Sequence, residues 1–453
     1  MHICRATKNA GSEVSYVPNP QSIENAGAVA TDATRPHWIR TWWFAVPLWK
    51  RILLGMILGA VVGFLWGDGA MQIKWVGDLF IRLIRMLVVP LIFVTIVSGM
   101  VGMADIRKLG SIGLKIAALY ALGTLAGAAL GLIIGSVLKP GRGISLGAAA
   151  PETVAAAPSS LADQLLQIVP TNPVAALAQG DVLAVIFFGL MFGAALLSSG
   201  EKGVPLARAF DAATEAMLHL TRFVMEAAPF GVFALIAWVM GTVGPSAFVN
   251  IFMLSVCVLA GCVAQVLLVH GGFVRLLARL PVTHFFRGIA EPMIVAFSTS
   301  SSAATLPVSM RVAEEKLGVS KAVTSTALPV GVTLSMDGTA MYVALLTMFA
   351  AQVFGVELHL SQYLTIILVT TLIAIGSAPI PSAALFLLTS VLQVIGLDSA
   401  HTALVVGFIL PFDRILDMMR TVPNCTGDLA VAVTVARWEK QIDESIYRRK
   451  SDR

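Results

Sequence analysis

The chain has 453 residues, of which 57% are hydrophobic and only 13% are charged. Soluble globular proteins carry roughly 25% charged residues, so this composition excludes an ordinary soluble domain and indicates a membrane protein. The net charge is +5, but the excess Lys and Arg lie in the tails and in short loops. That placement sets membrane topology, and it gives no reason to expect nucleic acid as a partner.

Uncharged runs along the chain predict the spanning helices. In chain order, the first four helical regions are expected at 43–67, 75–103, 110–138 and 172–199. The uncharged run 227–274 is long enough for two passes. We expect the Gly and Pro of "VGPS", residues 243–246, to divide it into a fifth and a sixth helix.

The basic residues predict which side of the membrane each loop faces. The first 51 residues carry six Lys or Arg, and a second basic cluster lies within 437–453. The long polar loop 139–180 contains only two basic residues, so the positive-inside rule places both termini in the cytoplasm. Residues 1–42 lack the basic and apolar regions of a signal peptide, and we expect a polar cytoplasmic tail. The cysteines show no pairing pattern, so free thiols and no metal site are expected at Cys4, Cys257, Cys262 and Cys425.

A paired pattern fills the last third of the chain. Twice, an apolar segment with a small-residue or hydroxyl-rich middle precedes a helix that is expected to break at a polar motif. The segments are 292–310, then 322–352 with "SMDGTA" at 335–340, then 358–397 with "GSAPIPSAA" at 376–384, then a final helix with "DRILDMMRTVPNCTGD" at 413–428. Broken hydrophobic segments in corresponding positions of two repeats point to the binding site of a transporter.

Six hydroxyl side chains lie within "FSTSSSAATLP", residues 297–307, between uncharged flanks. Composition alone favours a flexible linker or a patch of intrahelical hydrogen bonds. The location favours a re-entrant hairpin tip, because non-helical backbone at membrane depth must be buried in protein or line a water-filled cavity.

The polar residues of the final helix form one narrow stripe when successive residues are placed 100° apart. The stripe contains Asp413, Asp417, Arg420, Asn424 and Asp428. Each Asp or Arg facing lipid would cost about 3 kcal/mol, so the stripe must face protein, water or ions. The guanidinium of Arg420 matches a carboxylate bidentately, and Asp417 is placed on the same face to receive an ammonium. Together they predict an acidic amino acid zwitterion as ligand.

The plain alternative is a structural ion network on that helix. Its members would be Asp413, Arg414, Asp417 and Arg420. Such a network leaves Asn424, Asp428 and the isolated Asp337 unexplained. Carboxylate, hydroxyl and amide oxygens suit small hard cations, and unwinding to expose carbonyls is expected at Gly331, Gly338 and Gly427.

At these residues the sequence resembles the dicarboxylate/amino acid:cation symporter family, which includes animal glutamate transporters and archaeal aspartate transporters. The resemblance covers about 47–436 and rests on five motifs in the family's order: "RMLVVPLIF", "APFGVFALIA", "STSSSAATLP", "SMDGTA" and "RTVPNCTGD". It implies an all-α membrane protein with eight transmembrane helices, two re-entrant helical hairpins at 281–310 and 358–397, and inverted repeats. It also implies a homotrimer in which a transport domain moves like an elevator against a fixed scaffold.

The resemblance also implies four regions along the chain. These are a polar cytoplasmic tail at 1–42, helices one to six with the scaffold and part of the transport domain at 43–280, the core transport domain at 281–437, and a basic cytoplasmic tail at 438–453. The core would contain hairpin 1, helix 7, hairpin 2 and helix 8.

The resemblance places substrate contacts on Ser300, Ser302, Thr339, Ile380, Asp417, Arg420, Thr421 and Asn424. One sodium would be held by Gly331, Asn424 and Asp428. A second would be held by Thr333, Met336, Ala374, Ile375 and Ser377, and a third by Tyr120, Thr124, Ser335 and Asp337. No catalytic residue and no resident cofactor are expected, because sodium, with protons as an alternative, would be a transported ligand.

Several positions depart from the family pattern. Ser335 replaces an asparagine and Gly123 replaces a frequent hydroxyl residue, which questions coupling to three sodium ions. Val343 replaces the glutamate of proton-coupled animal members, which argues against that proton route. Prolines that stiffen the backbone stand at Pro379 and Pro423. Some relatives have an arginine at the position of Ser300, and Arg414 could supply that charge instead.

The sequence therefore predicts a symporter of the plasma (inner) membrane that imports glutamate or aspartate with sodium. A carrier of C4-dicarboxylates or of other amino acids is the alternative within transport. A channel, or an intramembrane serine hydrolase, belongs to a different class. The hydrolase needs a base near its nucleophile, and the histidines are expected in tails, loops or helix ends: His2, His37, His219, His270, His284, His359 and His401.

Overall fold

The computed structural model describes residues 46–102, 111–144, 166, 169–242, 244–375, 383–397 and 399–449. Regular structure in these residues is helical, apart from one isolated antiparallel bridge between Val319 and Ile442. The predicted all-α class is confirmed for this part of the chain.

The helices are numbered here along the described residues. The first seven are α1 Leu48–Trp66, α2 Lys74–Gly102, α3 Ser111–Leu138, α4 Pro173–Gln179, α5 Val182–Ser198, α6 Val204–Met225 and α7 Ala228–Thr242. Next come α8 Ser246–Ala264, α9 Val282–Gly288, α10 Ala290–Thr299, α11 Ser302–Glu315 and α12 Lys321–Leu334. The last are α13 Asp337–Val353, α14 Leu360–Ile375, α15 Ala383–Val394, α16 Ser399–Trp438 and α17 Glu444–Tyr447. Two π-helical turns, Gln265–His270 and Phe273–Leu277, continue α8.

Most predicted helix boundaries agree with the structure to within a few residues. The predicted start of the first helix, near residue 43, lies outside the described residues. The "VGPS" break is confirmed, because α7 ends at Thr242 and α8 begins at Ser246. The fourth helical region forms two helices, α4 and α5, because Gly180 ends the first with a φ of 75°.

The break in the "SMDGTA" segment is confirmed but is shorter than predicted. Only Ser335 and Met336 separate α12 from α13, and Asp337 already belongs to the first turn of α13. Gly331 and Gly338 lie inside these helices, so the predicted unwinding at both glycines is wrong. The middle of "GSAPIPSAA" lies outside the described residues.

The predicted interruption of the final helix is wrong. Helix α16 runs unbroken from Ser399 to Trp438 through Pro411, Pro423 and Gly427. Its polar side chains find partners on neighbouring helices, so the backbone does not have to unwind to satisfy them. The hydroxyl of Thr421 donates to the carbonyl oxygen of Asp417 at 2.7 Å, within the helix itself.

The helices pack in two groups. Helix α2 contacts α5, α6 and α7, and α1 packs along α7. Helix α13 contacts α3, α14, α15 and α16, and α16 also contacts α8, α10, α11 and α12. The polar motifs therefore lie in the second group, around α13 and α16.

Glycines let α1 and α7 approach closely. Gly55, Gly59 and Gly63 follow one another at four-residue spacing on α1. A Cβ at Gly55 or Gly59 would lie 2.5 Å from a carbonyl oxygen of α7, that of Pro229 or Phe233. Such spacing is typical of helix contacts in membranes, where close backbone packing replaces the hydrophobic effect as the source of association.

A second glycine row packs α3 against α13. Its members on α3 are Gly123, Gly127, Gly131 and Gly135. A Cβ at Gly127 would lie 2.6 Å from the carbonyl oxygen of Asp337. A larger residue there would displace the first turn of α13, so this row sets the position of Asp337.

Four helical segments in the described residues are long and apolar enough to cross a membrane: Leu48–Val101, Ile112–Leu138, Ile251–Leu277 and Lys321–Val353. The pair Gly200–Met225 and Ala228–Thr242, bent by 49°, adds a fifth if it forms one span. The most apolar part of Lys321–Val353 is wholly buried in protein. Helices α12 and α13 therefore form the centre, while the other spans leave apolar surface for lipid.

Candidate functional site

The serine run forms the tip of a helical hairpin. Helix α10 ends at Thr299 and is followed by Ser300, which has a left-handed φ of 52°. Ser301 caps α11, and its side chain accepts from the backbone N–H of Ala304. A positive φ is uncommon for a non-glycine residue and persists only where the surrounding structure holds it. The buried Ser300 hydroxyl has no hydrogen-bond partner among the described residues. This serine tip, Ser300 and Ser301, therefore presents a free polar group inside the protein.

The serine tip lies against α16. Both α10 and α11 contact α16, and the thiol of Cys425 lies within hydrogen-bonding reach of Ser302 and Thr305. The linker alternative is wrong, since the run belongs to two packed helices and their two-residue connection. The predicted re-entrant geometry is consistent with this hairpin, which begins with α9 at Val282.

Arg420 and Asp417 lie side by side in the interior. Their side chains are 4% and 1% exposed, and Arg420 Nη2 pairs with Asp417 Oδ1. Arg420 Nη1 donates to the hydroxyl of Thr339 at 2.6 Å, and the guanidinium stacks 5.5 Å from the ring centroid of Tyr342. Arg414 Nη1 lies 3.8 Å from Asp417 Oδ2. These contacts orient the guanidinium of Arg420. They also include ion pairs of the structural network that was the alternative prediction for this helix.

Asn424 connects this cluster to the broken helix. Its Oδ1 accepts from the backbone N–H of Gly338 at 2.8 Å, and its Nδ2 lies 3.4 Å from the sulfur of Met336. The Thr339 hydroxyl is 3.5 Å from the same Nδ2. The stripe on α16 thus faces protein, which is one of the predicted environments, and the structure shows that Asn424 contacts the break between α12 and α13.

Asp337 lies at the meeting point of α3, α13 and the π-helical turns. Its Oδ1 is 2.9 Å from the Thr124 hydroxyl and 3.3 Å from the Ser335 hydroxyl. The Thr124 hydroxyl is also 2.9 Å from the carbonyl oxygen of Tyr120. Because a hydroxyl has one hydrogen, it can donate to that carbonyl and turn its lone pairs toward a cation. These oxygens are hard ligands of the kind that bind small cations.

Asp428 lies nearby and is less completely paired. The Ser335 hydroxyl lies within hydrogen-bonding reach of its carboxylate, but Oδ1 has no hydrogen-bond partner among the described residues. Gly331 packs directly against that oxygen and against the Tyr120 hydroxyl, where a Cβ would lie 2.5 Å from the latter. The Tyr120 hydroxyl itself donates to the carbonyl of Ala327 at 2.8 Å. We call Asp337, Asp428, Tyr120, Thr124 and Ser335 the carboxylate centre.

His270 is a functional candidate that sequence reasoning missed. The expectation that it lies at a helix end is wrong, because it is the last residue of the first π-helical turn and the helix continues through the second turn to Leu277. The His270 side chain is 0% exposed. Its Nε2 is 3.0 Å from Asp337 Oδ2, and its Nδ1 is 2.9 Å from the Thr426 hydroxyl. One signal could have found it: an ionisable residue within a long uncharged run must find a buried partner in a membrane.

Three further predicted residues have described side chains: Thr421, Ala374 and Thr333. Thr421 is buried near Asp417, and Ala374 is buried on α14. The hydroxyl of Thr333 donates to the carbonyl of Val330, 2.9 Å away within α12. Ser377 and Ile380 lie outside the described residues, and the side chain of Ile375 is likewise not described. Of the predicted free thiols, Cys257, Cys262 and Cys425 are unbridged, and Cys4 lies outside the described residues.

Comparison with known proteins identifies the family. Residues 48–438 match the model of the sodium:dicarboxylate symporter family. The chain belongs to the sodium:dicarboxylate symporter family. It is 32% identical over 405 residues to the proton/sodium-glutamate symport protein of Geobacillus stearothermophilus, covering 87% of this chain and 95% of that protein.

Two further relatives of this symporter carry different substrate names. This symporter is 35% identical over 397 residues to the proton/glutamate-aspartate symporter of Bacillus subtilis (strain 168), and the match covers 86% of this chain and 94% of that protein. It is 35% identical over 424 residues to C4-dicarboxylate transport protein 3 of Bradyrhizobium diazoefficiens, covering 92% of each chain. The protein is thus a membrane symporter and not an enzyme, which removes the serine hydrolase alternative.

Proposed function

We propose that this symporter imports an acidic amino acid, glutamate or aspartate, together with sodium. The observation that carries the proposal is the buried pair of Asp417 and Arg420 on α16. One side chain is a carboxylate and the other a guanidinium, which suit the ammonium and the side-chain carboxylate of one zwitterion. In the structure the two charges pair with each other, so a zwitterion can replace their mutual contact without leaving either one buried and unpaired.

The surrounding groups support the same ligand. The Thr339 hydroxyl and the Tyr342 ring already hold the guanidinium of Arg420. The Ser300 hydroxyl at the serine tip, which has no hydrogen-bond partner in the part of the chain that the structure describes, offers one more hydrogen bond. The full proposed set of substrate contacts is Ser300, Ser302, Thr339, Ile380, Asp417, Arg420, Thr421 and Asn424.

The carboxylate centre supplies oxygens for the co-transported cations. We assign one sodium to Gly331, Asn424 and Asp428, where the Asp428 oxygen without a hydrogen-bond partner is available to an ion. A second is assigned to Thr333, Met336, Ala374, Ile375 and Ser377, and a third to Tyr120, Thr124, Ser335 and Asp337. The relatives named for proton and sodium symport make the proton the alternative coupling ion.

The two groups of packed helices support an elevator arrangement in the plasma membrane. Helices α1, α2, α5, α6 and α7 would form the fixed scaffold, and the helices around α13 and α16 would move with the substrate. Eight spans with two hairpins, cytoplasmic termini and a homotrimer complete this proposal. In this proposal 1–42 is the N-terminal tail, and 43–280 holds the scaffold with part of the transport domain. The core transport domain is 281–437, and 438–453 is the C-terminal tail.

A C4-dicarboxylate is the second candidate substrate, and one contact favours it. Arg414 lies 3.8 Å from Asp417, so two guanidinium groups flank one carboxylate and could receive two acid groups. A dicarboxylate, however, has no ammonium to pair with Asp417. Its two carboxylates and Asp417 would together bring three negative charges into one site. Like charges held close together in a buried site repel strongly, so an amino acid fits this site better.

Uptake into proteoliposomes tests the proposal. Labelled aspartate, glutamate and succinate are offered under sodium and proton gradients imposed separately. We expect sodium-driven uptake of the two amino acids. Uptake of succinate alone, or uptake indifferent to both gradients, would contradict the proposal.

Arg420→Cys tests the carboxylate clamp directly. Loss of charge-assisted hydrogen bonds worth about 3 kcal/mol should reduce aspartate uptake roughly 100-fold, and the variant should admit neutral amino acids. The matched control is Arg437→Cys on the same helix, where the side chain is 39% exposed and pairs with Glu444. Unchanged aspartate uptake in Arg420→Cys would remove Arg420 from the substrate site.

A further inference from the structure

The two oxygens of the Asp337 carboxylate have different surroundings. Oδ1 faces the hydroxyls of Thr124 and Ser335. Oδ2 faces the imidazole of His270. An ion that binds among the hydroxyls therefore meets one oxygen of this carboxylate, while the imidazole holds the other.

Two glycines enclose the contact between Oδ2 and His270. A Cβ at Gly123 would lie 2.8 Å from Asp337 Oδ2. A Cβ at Gly427 would lie 2.7 Å from the same oxygen and 3.2 Å from His270 Nε2. The absence of side chains at these two positions leaves space that the carboxylate and the imidazole fill themselves.

The hydrogen-bond partners of His270 define which ring nitrogen donates. An ionised carboxylate can only accept, so Nε2 carries the hydrogen that points at Asp337 Oδ2. In a neutral ring Nδ1 then accepts, and its neighbour is the Thr426 hydroxyl at 2.9 Å, closer than the Pro423 carbonyl that this hydroxyl also faces at 3.2 Å. Thr426 thus fixes the orientation of the imidazole, and the imidazole fixes the carboxylate.

A neighbouring amide ties this arrangement to α3. Gln265, which lies one π-helical turn before His270, donates from Nε2 to the carbonyl oxygen of Gly123 at 3.1 Å. The chain Thr426, His270, Asp337 therefore links α16, the π-helical turns and α13, while Gln265 holds the same turns against α3. All four side chains are buried.

We propose that His270 is a positioning residue of the cation site at Asp337: by donating to Oδ2, it directs Oδ1 toward the ion bound with Thr124 and Ser335. This inference rests on the proposed sodium coupling. Groups that hydrogen-bond to a metal ligand orient it, and their loss typically costs about 10- to 100-fold in metal affinity. His270 is not proposed to touch the ion.

Sodium titration of the purified, full-length protein without substrate tests this role. The readout is the sodium concentration that gives half of the sodium-dependent rise in melting temperature, with choline chloride holding the ionic strength constant. We expect His270→Leu to raise that concentration about 10- to 100-fold. His270→Gln keeps an N–H donor at a similar reach, and its half-saturating concentration should stay within about threefold of the parent.

A second pair of variants keeps the test decisive if His270→Leu does not fold. Thr426→Val removes the hydroxyl that orients the imidazole and should weaken sodium binding by about threefold to 10-fold. Thr434→Val is the matched control on the same helix, because Thr434 is equally buried and donates to the carbonyl of Ala430 at 2.7 Å. That variant should titrate like the parent.

The outcomes separate the positioning role from a structural one and from the proposed function. A purely structural histidine would lower the sodium-free melting temperature in both His270 variants and leave the half-saturating sodium concentration unchanged, which would overturn the inference. Equal sodium affinity in Thr426→Val and the parent would also overturn it. A parent protein without any sodium response would overturn sodium coupling itself, together with the inference.

Discussion

Asp337 and Asp428 are two carboxylates of one buried centre, and they differ in how fully the protein pairs them. Their side chains are 2% and 3% exposed. Asp337 has polar side-chain neighbours at both oxygens: the hydroxyls of Thr124 and Ser335 lie beside Oδ1, and the imidazole of His270 lies beside Oδ2. Asp428 shares Ser335 but has one oxygen without a hydrogen-bond partner among the described residues. Both oxygens of Asp337 thus have polar side-chain neighbours, whereas one oxygen of Asp428 has no hydrogen-bond partner among the described residues.

This difference assigns different work to the two residues. A buried charge is costly unless it is paired or coordinates an ion. The His270 contact at Oδ2 holds Asp337, so that residue can keep its place when no ion is bound. One oxygen of Asp428 has no hydrogen-bond partner among the described residues, so a bound cation best satisfies its charge. We therefore expect crowding beside Asp428 to weaken ion binding more than crowding beside Asp337.

The largest expected effect comes from Asp428→Asn. The neutral amide removes the charge that the cation needs, and losing a buried charge partner at a cost of about 3 kcal/mol corresponds to a roughly 100-fold loss of sodium affinity. Initial rates of aspartate uptake over a range of sodium concentrations measure it. Asp443→Asn, at the exposed cap of α17, is the control. A sodium dependence equal to that of the parent would exclude Asp428 from the ion site.

Gly331→Ala should have the next largest effect. The new methyl group would lie 2.5 Å from the Tyr120 hydroxyl and would crowd Asp428 as well. Crowding of this size costs about 1–3 kcal/mol, and we expect about a 10-fold rise in the half-saturating sodium concentration for uptake. Gly407→Ala on α16 is the matched control, because a Cβ there meets nothing within 4 Å. If both alanine variants behave alike, the space beside Gly331 does not hold an ion.

Gly123→Ala should have a smaller effect than Gly331→Ala, since it crowds the carboxylate that the protein already holds. Its methyl group would lie 2.8 Å from Asp337 Oδ2, and that side chain can shift by a small rotation. We expect a rise of about threefold in half-saturating sodium, with a lower melting temperature from the strained contact. A larger loss of sodium affinity than in Gly331→Ala would reverse the proposed order of the two carboxylates.

Tyr342→Phe should have the smallest effect on sodium. The hydroxyl of Tyr342 donates to Asp413 Oδ1 at 2.8 Å, and its ring lies against Arg420 on the substrate side of the site. The variant keeps the ring and loses one buried hydrogen bond, which costs about 1 kcal/mol. Thermal unfolding and aspartate binding should both weaken slightly, while half-saturating sodium at saturating aspartate stays unchanged. A marked sodium effect would place Asp413 in the cation centre.

Local patterns predicted the helices and the polar face of the site. The narrow stripe on α16 does face the break at Ser335 and Met336, because angular spacing depends only on helix geometry. The serine run does form a hairpin tip, because buried backbone limits what a polar segment at membrane depth can do. The order of motifs also predicted the family.

Features that depend on tertiary contacts escaped prediction. Whether α16 unwinds near Pro423 depends on partners that other helices bring to its polar side chains, and these are far away in sequence. The role of His270 depends on Gly123 and Gly427, which make room for its contact with Asp337. A glycine read in isolation predicts a flexible backbone, and only the packing shows that here it provides space.

The sodium dependence of aspartate binding at equilibrium tests most directly whether Asp428 binds a sodium ion coupled to the substrate. Purified parent protein and Asp428→Asn are titrated with aspartate at several fixed sodium concentrations. The slope of log Kd against log sodium concentration counts the sodium ions that bind together with aspartate, by linkage. If Asp428 binds a sodium ion, Kd in the parent falls with rising sodium, and the magnitude of this slope is lower by about one in Asp428→Asn. Equal slopes in the two proteins, or aspartate binding independent of sodium in the parent, would contradict it.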